Sequence, residues 1–396
     1  MKKELMIRFS FMMLVVFGFP AVIQADDELP PANEFLDLGT EEGLGGKDFM
    51  KFDRDQIKNQ IKTFIPPLLR PAFTQHAFVL PPGLHSVAVS RRDLSIDGND
   101  FFLDGDENTA VFGSSNVDRA LTDLDIFYGF DFNREYLHGF TARVNIPYRD
   151  SQVTGFIHPG GVQAISAFNT GSTQELGDIG LFLKKKIMDQ GNGPFGLAAV
   201  GAVFLPTGRN DEKVGNDGVV RMDTPAGTAN SIFTRFSDDG RLPSTLQPGT
   251  GTLSYLTGAF LTRQYGAHDF LGRSALHLGI THRFVSEDDG IDFGDTTTWF
   301  ASLVKPIYKD YLSTDLTFVA FDHQDDSYDG TTMDPVAGLI DRPSFSGGTS
   351  GYLAPSLIYS PDPQIRMTLS ALIRVVDPDL GPAPESIIRA GIDVTF

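Results

Sequence analysis

Apolar and polar positions alternate with period two along most of this chain. Between 364 and 376, Ile365, Met367, Leu369, Ala371, Ile373 and Val375 share one face, while Arg366, Thr368, Ser370 and Arg374 share the other. Residues 270–284 repeat the pattern, with Phe270, Leu276, Leu278, Ile280 and Phe284 set against Arg273, His277, Thr281 and Arg283. So do residues 386–396, where Ile388, Ala390, Ile392, Val394 and Phe396 oppose Arg389, Gly391, Asp393 and Thr395. A period of two belongs to a β-strand with two unlike faces. Such segments are predicted near 84–96, 120–132, 136–148, 177–188, 195–206, 251–265, 270–284, 296–307, 311–323, 351–359, 364–376 and 385–396. Each is long enough to cross a bilayer at a tilt.

The connections sort by length. Short ones at 133–135, 190–194, 266–269, 309–310 and 360–363 alternate with long ones at 97–119, 149–176, 207–250, 285–295, 324–350 and 377–384. Strands running up and down through one closed layer give this rhythm, whereas a soluble sandwich has no reason to sort its loops by parity. Aromatic residues mark both strand ends. Phe130, Phe132, Tyr136, Phe195, Tyr265, Phe270, Tyr308, Tyr311, Tyr359 and Phe396 flank the short turns. Tyr148, Phe204, Phe284, Trp299, Phe321 and Tyr352 stand at the opposite ends. Phenylalanine is also favoured in any strand, but two rings of aromatics one strand length apart are expected where a barrel meets two membrane interfaces. The prediction is an all-β fold, a transmembrane antiparallel up-and-down β-barrel of about 12 strands spanning 84–396.

Composition changes the picture in two places. The formal net charge is −19, which disfavours nucleic acid as a partner. The chain has no cysteine, hence neither a disulfide framework nor a cysteine for acylation. Its first 25 residues read as a cleaved secretory signal: Lys2, Lys3 and Arg8 form a basic start, Phe9 to Phe19 an apolar stretch, and Ala21 to Ala25 a small-residue finish. Gly18 and Pro20 break that stretch, and no other apolar run is long enough to span a membrane as a helix. Residues 26–83 then form an N-terminal segment with an acidic start, a glycine-rich piece at 43–46 and a short amphipathic helix over 53–64 carrying Ile57, Ile61 and Phe64 on one face. It reads as a periplasmic linker or as a plug within the barrel, and its polar start favours the linker.

The alternation assigns the charged residues. An arginine facing lipid at mid-membrane costs roughly 2–4 kcal/mol, so the charged faces belong to the lumen. This places Arg143, Lys184, Lys186, Arg273, Arg283, Arg366, Arg374 and Arg389 inward, with Asp123, Asp125, Asp131, Asp178, Asp315 and Asp393. Phe182, Phe300 and Ile358 fall on the same inner face and break its polarity. Either the charges line a polar passage and select solutes, or they pair off and fill a sealed lumen.

Three glycine-containing stretches stand at strand ends: Leu176-Gly177-Asp178-Ile179-Gly180, Phe204-Leu205-Pro206-Thr207-Gly208 and Gln247-Pro248-Gly249-Thr250-Gly251-Thr252. Their order resembles the outer-membrane proteins grouped as the phenol-degradation meta-pathway family, often labelled transporters, over roughly 120–280. The resemblance implies a barrel passing hydrophobic or aromatic compounds, with no catalytic residue to carry over. The aromatic Phe396 on an alternating strand likewise resembles the signal that bacterial outer-membrane barrels present to their assembly machinery. The expected location is the outer membrane, with membrane lipid, lipopolysaccharide, that machinery and small solutes as partners.

Enzyme and metal motifs are weak. His85 and Ser86 are adjacent and so point to opposite faces of a strand, and His277 and His282 have opposite parity. The acidic stretches 97–100, 104–107, 287–289 and 322–329 match no calcium-loop spacing. The expected function is passive diffusion, needing no cofactor and no metal. A non-conducting adhesin, scaffold or receptor is the alternative, and an outer-membrane lipid hydrolase the third.

Overall fold

The computed structural model describes residues 58, 67–96, 112–130, 139–158, 166–189, 195–211, 220–221, 233–234, 248–286, 291–292, 294–309, 311–324, 327–328, 348–376 and 386–396. Twelve strands among them form a closed antiparallel barrel: β1 (His85–Ile96), β2 (Phe112–Phe130), β3 (Phe140–His158), β4 (Ile179–Met188), β5 (Gly196–Leu205), β6 (Ser254–Tyr265), β7 (Ser274–Val285), β8 (Thr296–Tyr308), β9 (Leu312–His323), β10 (Gly348–Asp362), β11 (Ile365–Val376) and β12 (Ser386–Thr395). Each pairs with its neighbour in sequence, and β12 returns to β1 in register from Ser86 opposite Thr395 to Ser95 opposite Ser386. Two backbone bonds of 2.8 Å between His85 and Phe396 extend that pairing to the rim. No sheet edge is left open around the ring, which is what a strand-built membrane fold requires.

The period-two faces separate as the alternation predicts. Ile126, Leu183, Ile280, Leu369, Ile388 and Ile392 are exposed on the outside, whereas Ser90, Asp125, His277, Asp315, Ser370 and Thr395 are buried inside. An exposed apolar belt of this extent belongs against hydrocarbon rather than water. At the short-turn rim aromatic rings follow one another from Phe396 across three strands: Phe396 to His85 at 5.9 Å, His85 to Tyr128 at 4.8 Å, Tyr128 to Phe130 at 6.2 Å and Phe130 to Phe140 at 5.5 Å. Tyr308, Tyr311 and Tyr359 form a second cluster at the same rim.

Several expectations need correction. Phe204 and Phe321 face the interior, as does Tyr352 at 3% exposure, so none of them joins the opposite outer ring; Tyr255 does, beside Tyr148, Phe284 and Trp299. Phe270, at 85% exposure, and Arg273 lie in the turn ahead of β7 and not on its faces. β2 and β3 continue past their expected ends, and β3 there pairs with a further strand, Ser166–Leu176. The extension carries Ser114, Ser115 and Asn116 opposite Phe156, Gly155 and Thr154, too few apolar residues for the alternation to announce it. Asp131, Phe132, Tyr136, the first 25 residues and all of the expected helix at 53–64 except Lys58 lie outside the described residues; Lys58 pairs with Asp362 at 2.5 Å.

Phe260, Phe300, Val319, Tyr352, Ala354 and Leu372 form an apolar cluster on the inner wall from β6 to β11, joined by Ala77. Phe300 therefore belongs to a packed half of the interior. Ile358 lies in a smaller apolar group with Val304 and Ala72.

Candidate functional site

Residues 67–84 run inside the barrel before β1 begins. Extended backbone in a closed interior needs partners for its amides and carbonyls, and the wall supplies them. Ala72 N donates to Asp315 Oδ2 at 2.7 Å, Ala77 N to Thr262 Oγ1 at 3.0 Å and Leu80 N to Thr141 Oγ1 at 2.7 Å. Arg366 donates to the carbonyls of Arg70 at 2.9 Å and Pro71 at 2.6 Å, Arg389 to that of Phe73 at 3.0 Å and Lys184 to that of His76 at 3.3 Å. His277 Nε2 lies 2.7 Å from Leu69 O, and Arg70 pairs with Asp393 at 3.0 Å. At Gly129 the segment passes so close that an added Cβ would stand 2.1 Å from Pro81 O.

The sequence-predicted residues thus divide among several tasks. Arg366, Arg389, Lys184, Asp315 and Asp393 hold the luminal segment. Asp123 accepts from Arg92 at 2.7 Å, and Asp125 accepts from Arg143 and Asn145, each at 2.8 Å. Lys186 pairs with Asp189 at 2.9 Å near the short-turn end of β4. Arg374 faces inward on β11, across from Tyr352. Neither an unlined pore nor a simple set of mutual ion pairs describes this interior.

Asp178 sits where Ser166–Leu176 breaks and β4 begins. Its carboxylate accepts from Gly208 N at 3.1 Å, Thr250 N at 2.8 Å and Thr250 Oγ1 at 2.8 Å, with Arg283 at 4.0 Å. Thr207 Oγ1 accepts from Ile179 N and donates to Gly177 O, both at 2.9 Å. Gly208 and Gly249 approach so closely that a Cβ on either would lie within 2.7 Å of the other's backbone. All three glycine-containing stretches therefore meet in one knot on a buried carboxylate. Gly208 and Gly249 serve close backbone approach, and Gly251 takes a positive φ of 70°.

Two cavities flank these features. One of ≈ 200 Å³ lies between the luminal segment and the charged wall, lined by Phe127, Arg143, Lys184, Arg366 and Arg389 among others. The second, of ≈ 250 Å³, adjoins the Asp178 knot and is walled by Arg92, Arg119, Arg149 and Arg283 with Asp123 and Asp178. Arg92, Arg119 and Arg149 were not singled out by the alternation. Arg119 and Arg149 stand one residue beyond the predicted ends of β2 and β3, and Arg92 follows Arg91, so that only one of the two can face inward.

No protein-family model and no curated protein matches the sequence. Solved structures do match. An outer membrane channel from Pseudomonas putida F1 aligns at 11% identity over 80% of this chain and 97% of that one, with a TM-score of 0.50. The transport unit of the autotransporter AIDA-I from Escherichia coli aligns at 9% identity over 79% and 89%, with a TM-score of 0.44. The CymD monoaromatic hydrocarbon channel aligns at 8% identity over 80% and 88%, with a TM-score of 0.37. With the ring of strands described above, the likeness to the Pseudomonas channel establishes the fold as that of an outer-membrane β-barrel.

Proposed function

We propose that this protein is a passive diffusion channel of the bacterial outer membrane for small solutes, aromatic and other hydrophobic compounds among them, with residues 67–84 acting as an internal constriction. The observation that carries the reading is the ≈ 200 Å³ cavity left between that segment and the charged wall. Phe260, Phe300 and Tyr352 pack the apolar side of the barrel, and the cavity lies on the polar side. The fold shared with an outer membrane channel supports the reading, and so does the motif resemblance for the solute class. Phe127, Phe182 and Phe204 on the inner surface give an aromatic solute something to lie against. Diffusion needs contacts weak enough to release what they bind, and no cofactor.

A non-conducting barrel is the second reading, favoured by the number of strands that hold the luminal segment. Single-channel recording in planar bilayers separates the two. The whole protein is expected to give small, defined openings, and a form lacking residues 26–82 larger ones. A barrel silent in both forms would leave the scaffold reading standing.

A further inference from the structure

The two cavities are stacked along one wall. On β1, Arg92 lines the cavity beside the Asp178 knot, and Ser90, the next inward position toward the short turns, lines the other. On β2 the change falls between Asp123 and Asp125, and on β3 between Asn145 and Arg143. Side chains on one face of a strand recur every second residue, so no inward position separates the two linings on any of these three strands. They are consecutive stretches of one route, which follows the charged wall from the long connections to the luminal segment.

Two kinds of group stand where one stretch gives way to the next. Asp125 accepts from Arg143 Nε and from Asn145 Nδ2, each at 2.8 Å, so a polar tie joins one lining to the other. Phe182, opposite Arg143 on β4, supplies the apolar part. Its ring lies 4.7 Å from the Arg143 guanidinium and meets Phe204, of the cavity beside the knot, edge to face at 5.4 Å. Gly180 leaves room for that ring, since a Cβ there would stand 2.6 Å from Phe182 Cε2. The bonds to Asp125 are charge-assisted and directional, and moving that group breaks them. A phenyl ring makes no such bond, and its contacts reform over a range of ring angles, so Phe182 is the member of this boundary that yields most readily.

We infer that Phe182 is the inner gate of this route and the residue that sets the width of solute able to cross from one cavity to the other. The inference rests on the channel reading, and it places a second narrowing in series with the luminal segment. Single-channel recording and liposome swelling with the full chain test it. The forms compared are wild type, Phe182→Ala, Phe182→Trp and, as a control for loss of a ring on the packed wall, Phe300→Ala.

Phe182→Ala is expected to raise the unit conductance about twofold or more, and Phe182→Trp to lower it, because the side chain stands in the narrowest part of a water-filled route. Swelling should show the same change as a larger rise in sucrose entry than in glycerol entry for the alanine form. Phe300→Ala should leave both measurements at the wild-type value. A conducting barrel whose conductance is the same with alanine, phenylalanine or tryptophan at 182 would overturn the gate and leave the channel standing. An equal rise in Phe300→Ala would also overturn it, since the cause would then be a general loosening of the barrel. Silence of every form would remove the channel reading and the gate together. Should the alanine variant fail to fold, Phe182→Leu takes its place with a smaller expected rise, and the absence of that rise would count against the gate in the same way.

Discussion

The two halves of the barrel interior solve different problems with the same strand geometry. On the wall from β6 to β11, Phe260, Phe300, Val319 and Tyr352 pack among themselves and against Ala77 of the luminal segment. On the wall from β11 round to β4, Arg366, Arg389 and Lys184 reach the segment by donating to its carbonyls. Packing leaves no gap, because apolar side chains gain only by contact. Long cationic side chains hold at arm's length, and the cavity lies on their side. A barrel can therefore be tightly tied and still hollow, provided the ties on one wall are long.

The largest effect on this contrast is expected from removing its shared object. Deletion of residues 67–82 should raise single-channel conductance several-fold and lower the melting temperature; unchanged conductance would show that the constriction lies elsewhere. Next comes Phe300→Ala on the packed wall, expected to cost about 3–5 kcal/mol in denaturant unfolding of the detergent-solubilised barrel, because Phe300 is buried beside Phe260.

Arg366→Gln on the charged wall should cost less, about 1–3 kcal/mol, by leaving the carbonyls of Arg70 and Pro71 short of a donor. Reversal potentials in a salt gradient should then move toward cations as fixed positive charge is lost. A shift toward anions would contradict the placement of Arg366 inside. The smallest effect is expected from Phe396→Ala at the seam, about 0.5–1.5 kcal/mol from loss of the stacked ring, with the backbone pair to His85 retained. A fall in the folded outer-membrane level beyond that figure would support the assembly-signal role of this residue.

The ring of strands was legible because each strand has two solvents, and alternation records which face meets which. Leu369 and Ile392 outside, Arg366 and Arg389 inside, follow from parity alone. The occupation of those arginines was not legible. Arg366 donates to residues 295 and 296 positions away, and no local pattern encodes a partner so distant. Phe300 and Ile358 looked like faults in the polar face until a second apolar surface, the luminal segment, appeared opposite them. Arg119 and Arg149 escaped notice for a simpler reason. They lie at the level where both faces of β2 and β3 turn polar, so the alternation that marks a strand stops just short of them.

The seam between β1 and β12 has a kinetic consequence. Every other pair in the ring joins strands consecutive in the chain, and each such hairpin can form from local encounters. Ser86 and Thr395, by contrast, meet across 309 positions, so their encounter carries a larger loop-closure entropy than the pairing of any two strands that follow one another around the ring. The luminal segment takes its donors and acceptors from β3, β4, β6, β7, β9, β11 and β12, and it gains its full set only when that encounter has happened. Ring closure and capture of the segment should accordingly be a single late event, and refolding should lag behind unfolding by the time needed to find it.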